Sequence, residues 1–172
     1  MKYAGIGSRE TPAPILVDMR SLAQDLAAGG WTLRTGGADG ADSAFETGHR
    51  SGGGADALEV YLPWNGYNGR SATDEHSTFV LDPTTLAMAE TIAGRLHPAW
   101  HRCRQGARKL HARNVAIVHG RTLLDDVDAV VCWTRDGGPT RGTGMGIRLA
   151  PDRPKPQLNL ISKPPTDIRR AL

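Results

Sequence analysis

Several things that a chain of 172 residues can carry are missing from this one. No apolar run approaches the ~20 residues that cross a bilayer, so no membrane span and no membrane partner are expected. The first residues, M-K-Y-A-G-I-G, meet glycine before a signal segment can build, and they read as a first strand. The two cysteines, Cys103 and Cys132, form no metal or redox motif, and reduced thiols in a cytoplasmic protein are the expectation. His76, His97, His101, His111 and His119 show no paired metal spacing with carboxylates or thiols. His97 and His101 stand four apart, but Pro98 interrupts a helix between them. No metal and no cofactor are therefore expected. A G-x-S-x-G elbow and a Cys/His nucleophile arrangement are absent. The dinucleotide fingerprint fails as well, because Thr11 and Pro12 occupy the region of its third glycine. There is no internal repeat and no sign of a second domain.

What is present is the composition of one folded domain, with 39% hydrophobic residues. Net charge is +3, which permits a nucleic-acid partner without requiring one. Residues 95–113 hold Arg95, Arg102, Arg104, Arg108, Lys109 and Arg113 with no acidic residue among them. That stretch reads either as a solvated helix face or as a surface for an anion.

Strands and helices alternate along the chain. Residues 2–7 predict a strand, and apolar residues at helical spacing predict a helix over 13–28 that Gly29 and Gly30 end. A strand over 31–35, a helix over about 40–51 and a strand over 57–62 follow. Residues 64–77 are polar and aperiodic, a long loop of the kind that tends to be functional or mobile. Trp64 and Tyr67 there, and Phe79 just beyond, suit either stacking on a base or packing against the domain. Pro83 opens a helix that His97 and Pro98 break, and 99–118 carry a further helical pattern in one or two pieces. Residues 127–133 are nearly all apolar, as in a strand buried on both faces of a parallel sheet. A glycine-rich loop, a short helix near 143–150 and a strand over 157–161 complete a single domain, 1–161. Residues 162–172 read as a polar, loosely held tail. The fold class is α/β: a Rossmann-like, doubly wound, mainly parallel sheet with helices on both faces.

Three glycine turns each follow a predicted strand. The first holds Gly7, Ser8 and Arg9: a tight turn, a hydroxyl and a planar cation suited to phosphate. The second runs Gly36, Gly37, Ala38, Asp39, Gly40, Ala41, Asp42 into a helix start. Such a turn offers main-chain N–H groups to an anion, and Gly37 is expected at φ > 0. Asp42 suits capping a helix by accepting main-chain N–H bonds, and Asp39 suits either local capping or a ribose hydroxyl. The third holds Gly142, Thr143 and Gly144. Open parallel sheets bind ligands beyond the carboxyl ends of their strands, so the three turns are expected to share one ligand. Glu46 and Glu59 are read as helix surface and strand face.

In this order the residues resemble the SLOG superfamily of Rossmann-like nucleotide-binding proteins, and within it the DNA-processing protein A (DprA) branch. Gly7-Ser8-Arg9 looks like the first-strand G-S-R of that family, and Gly36 to Asp42 like its second glycine loop. Arg113-Asn114 resembles the branch's Arg-Asn motif, and Gly142-Thr143-Gly144 the superfamily's later loop. The resemblance implies binding of a nucleotide or nucleotide-derived ligand, with Arg9 and Arg113 supplying charge and Asn114 a polar contact. It implies single-stranded DNA as an alternative partner and a homo-oligomer as an assembly. The sequence departs from DNA-processing protein A in being short, with no extra N-terminal helical or C-terminal winged-helix-like domain read in it, so recombinase loading is not part of the expectation. Phosphoribohydrolases of the "Lonely guy" type carry P-G-G-x-G-T-x-x-E, and Gly146 stands here where their Glu falls. A binding protein is accordingly favoured over a nucleotide N-glycosidase. Arg113→Ala is expected at this point to weaken anion binding without unfolding the chain.

Overall fold

The structure, a computed structural model, describes residues 1–73, 76–135, 148–149, 157–162 and 164–171. Six parallel strands form one sheet: β1 (Lys2–Ile6), β2 (Thr32–Thr35), β3 (Leu58–Leu62), β4 (Thr78–Val80), β5 (Ala129–Cys132) and β6 (Gln157–Asn159). Their order across the sheet is β4-β3-β2-β1-β5-β6. Order and direction together make the doubly wound α/β architecture that the alternating pattern predicts. The strand sequence reverses direction between β1 and β5, the place where such sheets open a crevice at their carboxyl edge.

Two layers of helix cover the sheet. On one face lie α1 (Ala13–Ala28), α2 (Ala41–Ser51) and α5 (Pro165–Ala171). On the other lie α3 (Pro83–Leu96) and α4 (Gln105–His119). Helix α1 buries Met19, Leu22, Ala23 and Leu26, one stripe at i, i+3, i+4 and i+7, and Gly29 and Gly30 stop it. Helix α2 buries Ala41, Ala44, Phe45 and Gly48 on the same spacing. Gly48 is required there by proximity: a Cβ would stand 2.1 Å from the carbonyl oxygen of Arg20 on α1. Strand β5 is buried along its whole length, as a central strand covered on both faces must be.

Two features depart from the sequence reading. Residues 78–80 form the edge strand β4, too short for a period-two pattern to register. Over 99–118 the two-piece alternative holds, a 3₁₀ turn (Trp100–Arg102) and then α4, which begins at Gln105. The polar tail carries α5, and its Ile168 is fully buried in the cluster that α1 contributes to. A tail that seats one apolar side chain in the core is held by that contact. No described helix is long and apolar enough to cross a membrane.

Arg34 and His49 are buried polar side chains within this framework. Arg34 on β2 is 1% exposed and pairs with Glu59, its register partner on β3, and with Asp125. His49 on α2 is fully buried, with Nε2 2.8 Å from the carbonyl oxygen of Ala57 and Nδ1 3.3 Å from the hydroxyl of Tyr3. Both contacts are satisfied by the neutral ring donating from Nε2 and accepting at Nδ1. Burial lowers the pKa of His49 below the ordinary histidine value.

That shift fixes a sign. Just below about pH 6.5 an unfolded His49 takes up a proton that the folded one refuses. Stability therefore falls as pH drops from about 6.5 toward the lowered folded value. His49→Gln is expected to flatten this slope. The check is the urea midpoint at about pH 7 and about pH 5, where the wild type should lose more than the variant.

Candidate functional site

The first two glycine turns meet at the carboxyl edge of β1 and β2. Gly40, in the left-handed region at φ 78°, has the carbonyls of Ser8 and Arg9 2.8 Å from where a Cβ would sit. Gly7 is packed as closely on Ala41, with 2.4 Å to its methyl group. The Ala41 N–H donates to the Ser8 carbonyl at 3.3 Å, which ties the start of α2 to the first turn. Only residues without a side chain let the two turns touch.

Beside them is a cavity of about 420 Å³, within the range of small-molecule sites. The first turn gives it Gly7, Ser8 and Arg9, the second gives Ala38 and Asp42, and α4 gives Leu110, His111, Arg113 and Asn114. Tyr67 enters from the long loop. Thus Gly7, Ser8, Arg9, Ala38, Arg113 and Asn114, scattered along the sequence, line one hollow.

Arg113 is the centre of this wall. It is 8% exposed, and its Nη1 donates to Asp42 Oδ2 at 3.1 Å. The guanidinium lies directly on the main chain of Gly36, where a Cβ would come within 1.1 Å of Nη1. Asp42 also accepts from the N–H of Ala38 at 3.3 Å, so it holds the loop rather than capping α2, whose start carries no side-chain cap. Burial pushes the Asp42 carboxyl up, and the Arg113 charge and the loop N–H groups oppose that shift. The Arg113 Nε is buried with no hydrogen-bond partner. A buried pair of this kind leaves little charge over for a ligand. Arg113→Ala therefore does more than weaken a surface contact, contrary to the reading from sequence.

Arg9 is the exposed arginine among the described lining residues. Its Nη2 donates to the Tyr67 hydroxyl at 2.5 Å, and that bond raises the Arg9 pKa. Tyr67 is buried and makes an edge contact with Trp64. The loop thus packs on the domain through Tyr67 and presents the ring's polar end to Arg9. Asn68, at φ 50°, donates from Nδ2 to the Gly37 carbonyl at 3.0 Å, and Arg70 holds Glu46 of α2. Gly37 has φ 64°, as the turn requires.

Other sequence candidates fall elsewhere. Asp39 is exposed and outside the cavity lining. Phe79 packs against Tyr61 under the Arg121 guanidinium, away from the hollow. Gly142, Thr143 and Gly144 lie outside the described residues. Tyr67, Glu10, Leu110 and His111 line the cavity without belonging to the glycine or Arg-Asn motifs. Tyr67 was legible only as an aromatic in a long loop, and the α4 residues only as part of a basic stretch. Sequence spacing points to no metal set, yet the fold gathers His97, Cys103 and His111 next to α4.

Two outcomes follow from this geometry. Removing either partner of the buried pair strands the other: Arg113→Ala or Asp42→Ala should each cost about 3–5 kcal/mol, and the double variant less than their sum. Denaturant unfolding of the four proteins measures the coupling. Gly37→Val should also destabilise, since φ 64° disfavours a β-branched residue and its Cβ would press on Leu62 and Val60. A thermal melt equal to wild type would remove that constraint. Comparison with known proteins finds no matching family model, no matching curated protein and no matching solved structure.

Proposed function

We propose that the cavity beside β1 and β2 binds a nucleotide or nucleotide-derived phosphate ligand. The observation that supports this reading most is the meeting of two glycine turns with one face of α4 around a single hollow at the sheet's carboxyl edge. In this reading the phosphate rests against the main chain of Gly7 and Ser8, and Arg9 supplies the charge. Tyr67 fixes the Arg9 fork through its hydroxyl. Arg113 shapes the wall, its charge already matched by Asp42, while Asn114 offers a polar contact. The carboxylates among the described lining residues are Asp42, held in its ion pair, and Glu10, exposed on the first turn. With Gly146 in place of a motif Glu, binding is a better account than N-glycosidic cleavage.

Single-stranded DNA is the second reading. Arg102 and Arg104 are exposed just ahead of α4, whose Ala107 and Leu110 line the cavity, and a phosphate backbone could run from them toward Arg9. The two readings separate by salt. DNA affinity should fall with a log–log slope of about −0.7 per phosphate contacted. A mononucleotide seated on main-chain N–H groups should lose far less.

A thermal-shift panel of nucleotides, cyclic nucleotides and short oligonucleotides tests both. A ligand at a hundredfold excess over its Kd adds about 2.7 kcal/mol, a rise of about 5–10 °C for a chain of this size. Arg9→Ala should leave the unliganded melting temperature nearly unchanged, because the side chain is exposed. It should remove most of the ligand-induced rise. A panel with no shift at all would reject the nucleotide reading.

A further inference from the structure

We propose that His97, Cys103 and His111 bind one soft divalent transition-metal ion of the zinc type. The three come from three different pieces of chain. His97 caps the carboxyl end of α3, where Pro98 forbids a further turn. The chain then hooks through the 3₁₀ turn of Trp100–Arg102 and leaves it with Cys103 in extended conformation. His111 stands in the second turn of α4 and faces back across the hook. Spacings of six and eight residues match no zinc-finger pattern, which is why the sequence alone does not reveal the group.

The geometry suits an ion. One donor atom from each residue lies within 4.8 Å of the other two. Cys103 Sγ is 3.8 Å from His97 Nδ1. Tetrahedral zinc, with bonds of about 2.3 Å to sulfur and about 2.0 Å to nitrogen, places such a pair about 3.5 Å apart. The two imidazole rings are 4.5 Å apart, centre to centre. His111 Nδ1 is buried with no hydrogen-bond partner, so bonding an ion there breaks no existing hydrogen bond. Indole covers one side: the Trp100 ring is 6.2 Å from each imidazole, and Gly94 of α3 leaves room for it. Arg108 stacks on the outer face of Trp100 at 5.4 Å.

Donor chemistry selects the ion. A thiolate with two imidazoles favours Zn²⁺, Co²⁺ or copper over Mg²⁺ and Ca²⁺, which prefer oxygen. On binding, the Cys103 thiol gives its proton to solvent and its sulfur bonds the metal, so the thiolate cancels one of the two positive charges. His97 gives up the weak bond its Nδ1 accepts from the Ala99 N–H at 3.2 Å. The described residues supply three ligands, the number that open zinc sites carry. Because His111 also lines the cavity, the ion would sit in the wall of the proposed ligand site, though its binding does not depend on that reading.

Cobalt tests it directly. Full-length protein, freed of metal under reducing conditions, is titrated with Co²⁺. The expected result is a near-ultraviolet sulfur-to-cobalt charge-transfer band with visible bands of four-coordinate Co²⁺, saturating at one ion per chain and bleached by Zn²⁺. Cys103→Ser should abolish the charge-transfer band, and His97→Asn should weaken binding at least tenfold. Zn²⁺ should raise the melting temperature of the wild type and of neither variant. If Cys103→Ser does not fold, His97→Asn carries the test. No thiolate band in the wild type, or one that survives Cys103→Ser, overturns the proposal. The trio would then be only a hydrogen-bonded hook between α3 and α4.

Discussion

The guanidinium of Arg113 lying on the bare main chain of Gly36 is the contact on which the rest of the site depends. It joins the face of α4 to the second glycine turn, across the top of the sheet. A charge this deep in a protein is tolerated because Asp42 stands against it. Asp42 in turn keeps the turn's shape by accepting the Ala38 N–H. One ion pair thereby links α4 to the second turn where the cavity opens. Remove its glycine, its acid or its base, and the wall has no defined position.

Much of the architecture was readable because local signals agreed with global ones. Helix α1 begins and ends where its prolines and glycines put it, and its apolar stripe is unbroken. The uninterrupted apolar run of β5 told its own burial on both faces. The glycine turns were legible for the same reason: few roles other than close approach require bare backbone at Gly7, Gly36 and Gly40. Strand β4 and helix α5 were not, being three and seven residues long and held by neighbours rather than by pattern.

What sequence could not give is pairing over distance. Arg34 looks like the outward residue of an alternating strand, yet it is among the largest fully buried side chains, matched by Glu59 beside it and Asp125 far along the chain. His49 sits in a helix whose polar residues read as surface, and the Tyr3 hydroxyl and the Ala57 carbonyl accommodate it. Arg113 offered itself as a phosphate-binding cation, and only the fold shows that its charge is taken. In each case the missing information is the identity of a partner that the chain brings close after folding.

Gly48 has an effect beyond the helix that contains it. By letting α2 rest on the backbone of α1, it locks together the two helices that begin at the first and second turns. The rims they carry cannot drift apart without prising open a well-filled interior. The parts of the wall that these two helices carry are therefore arranged in advance, and ordering them would cost little entropy.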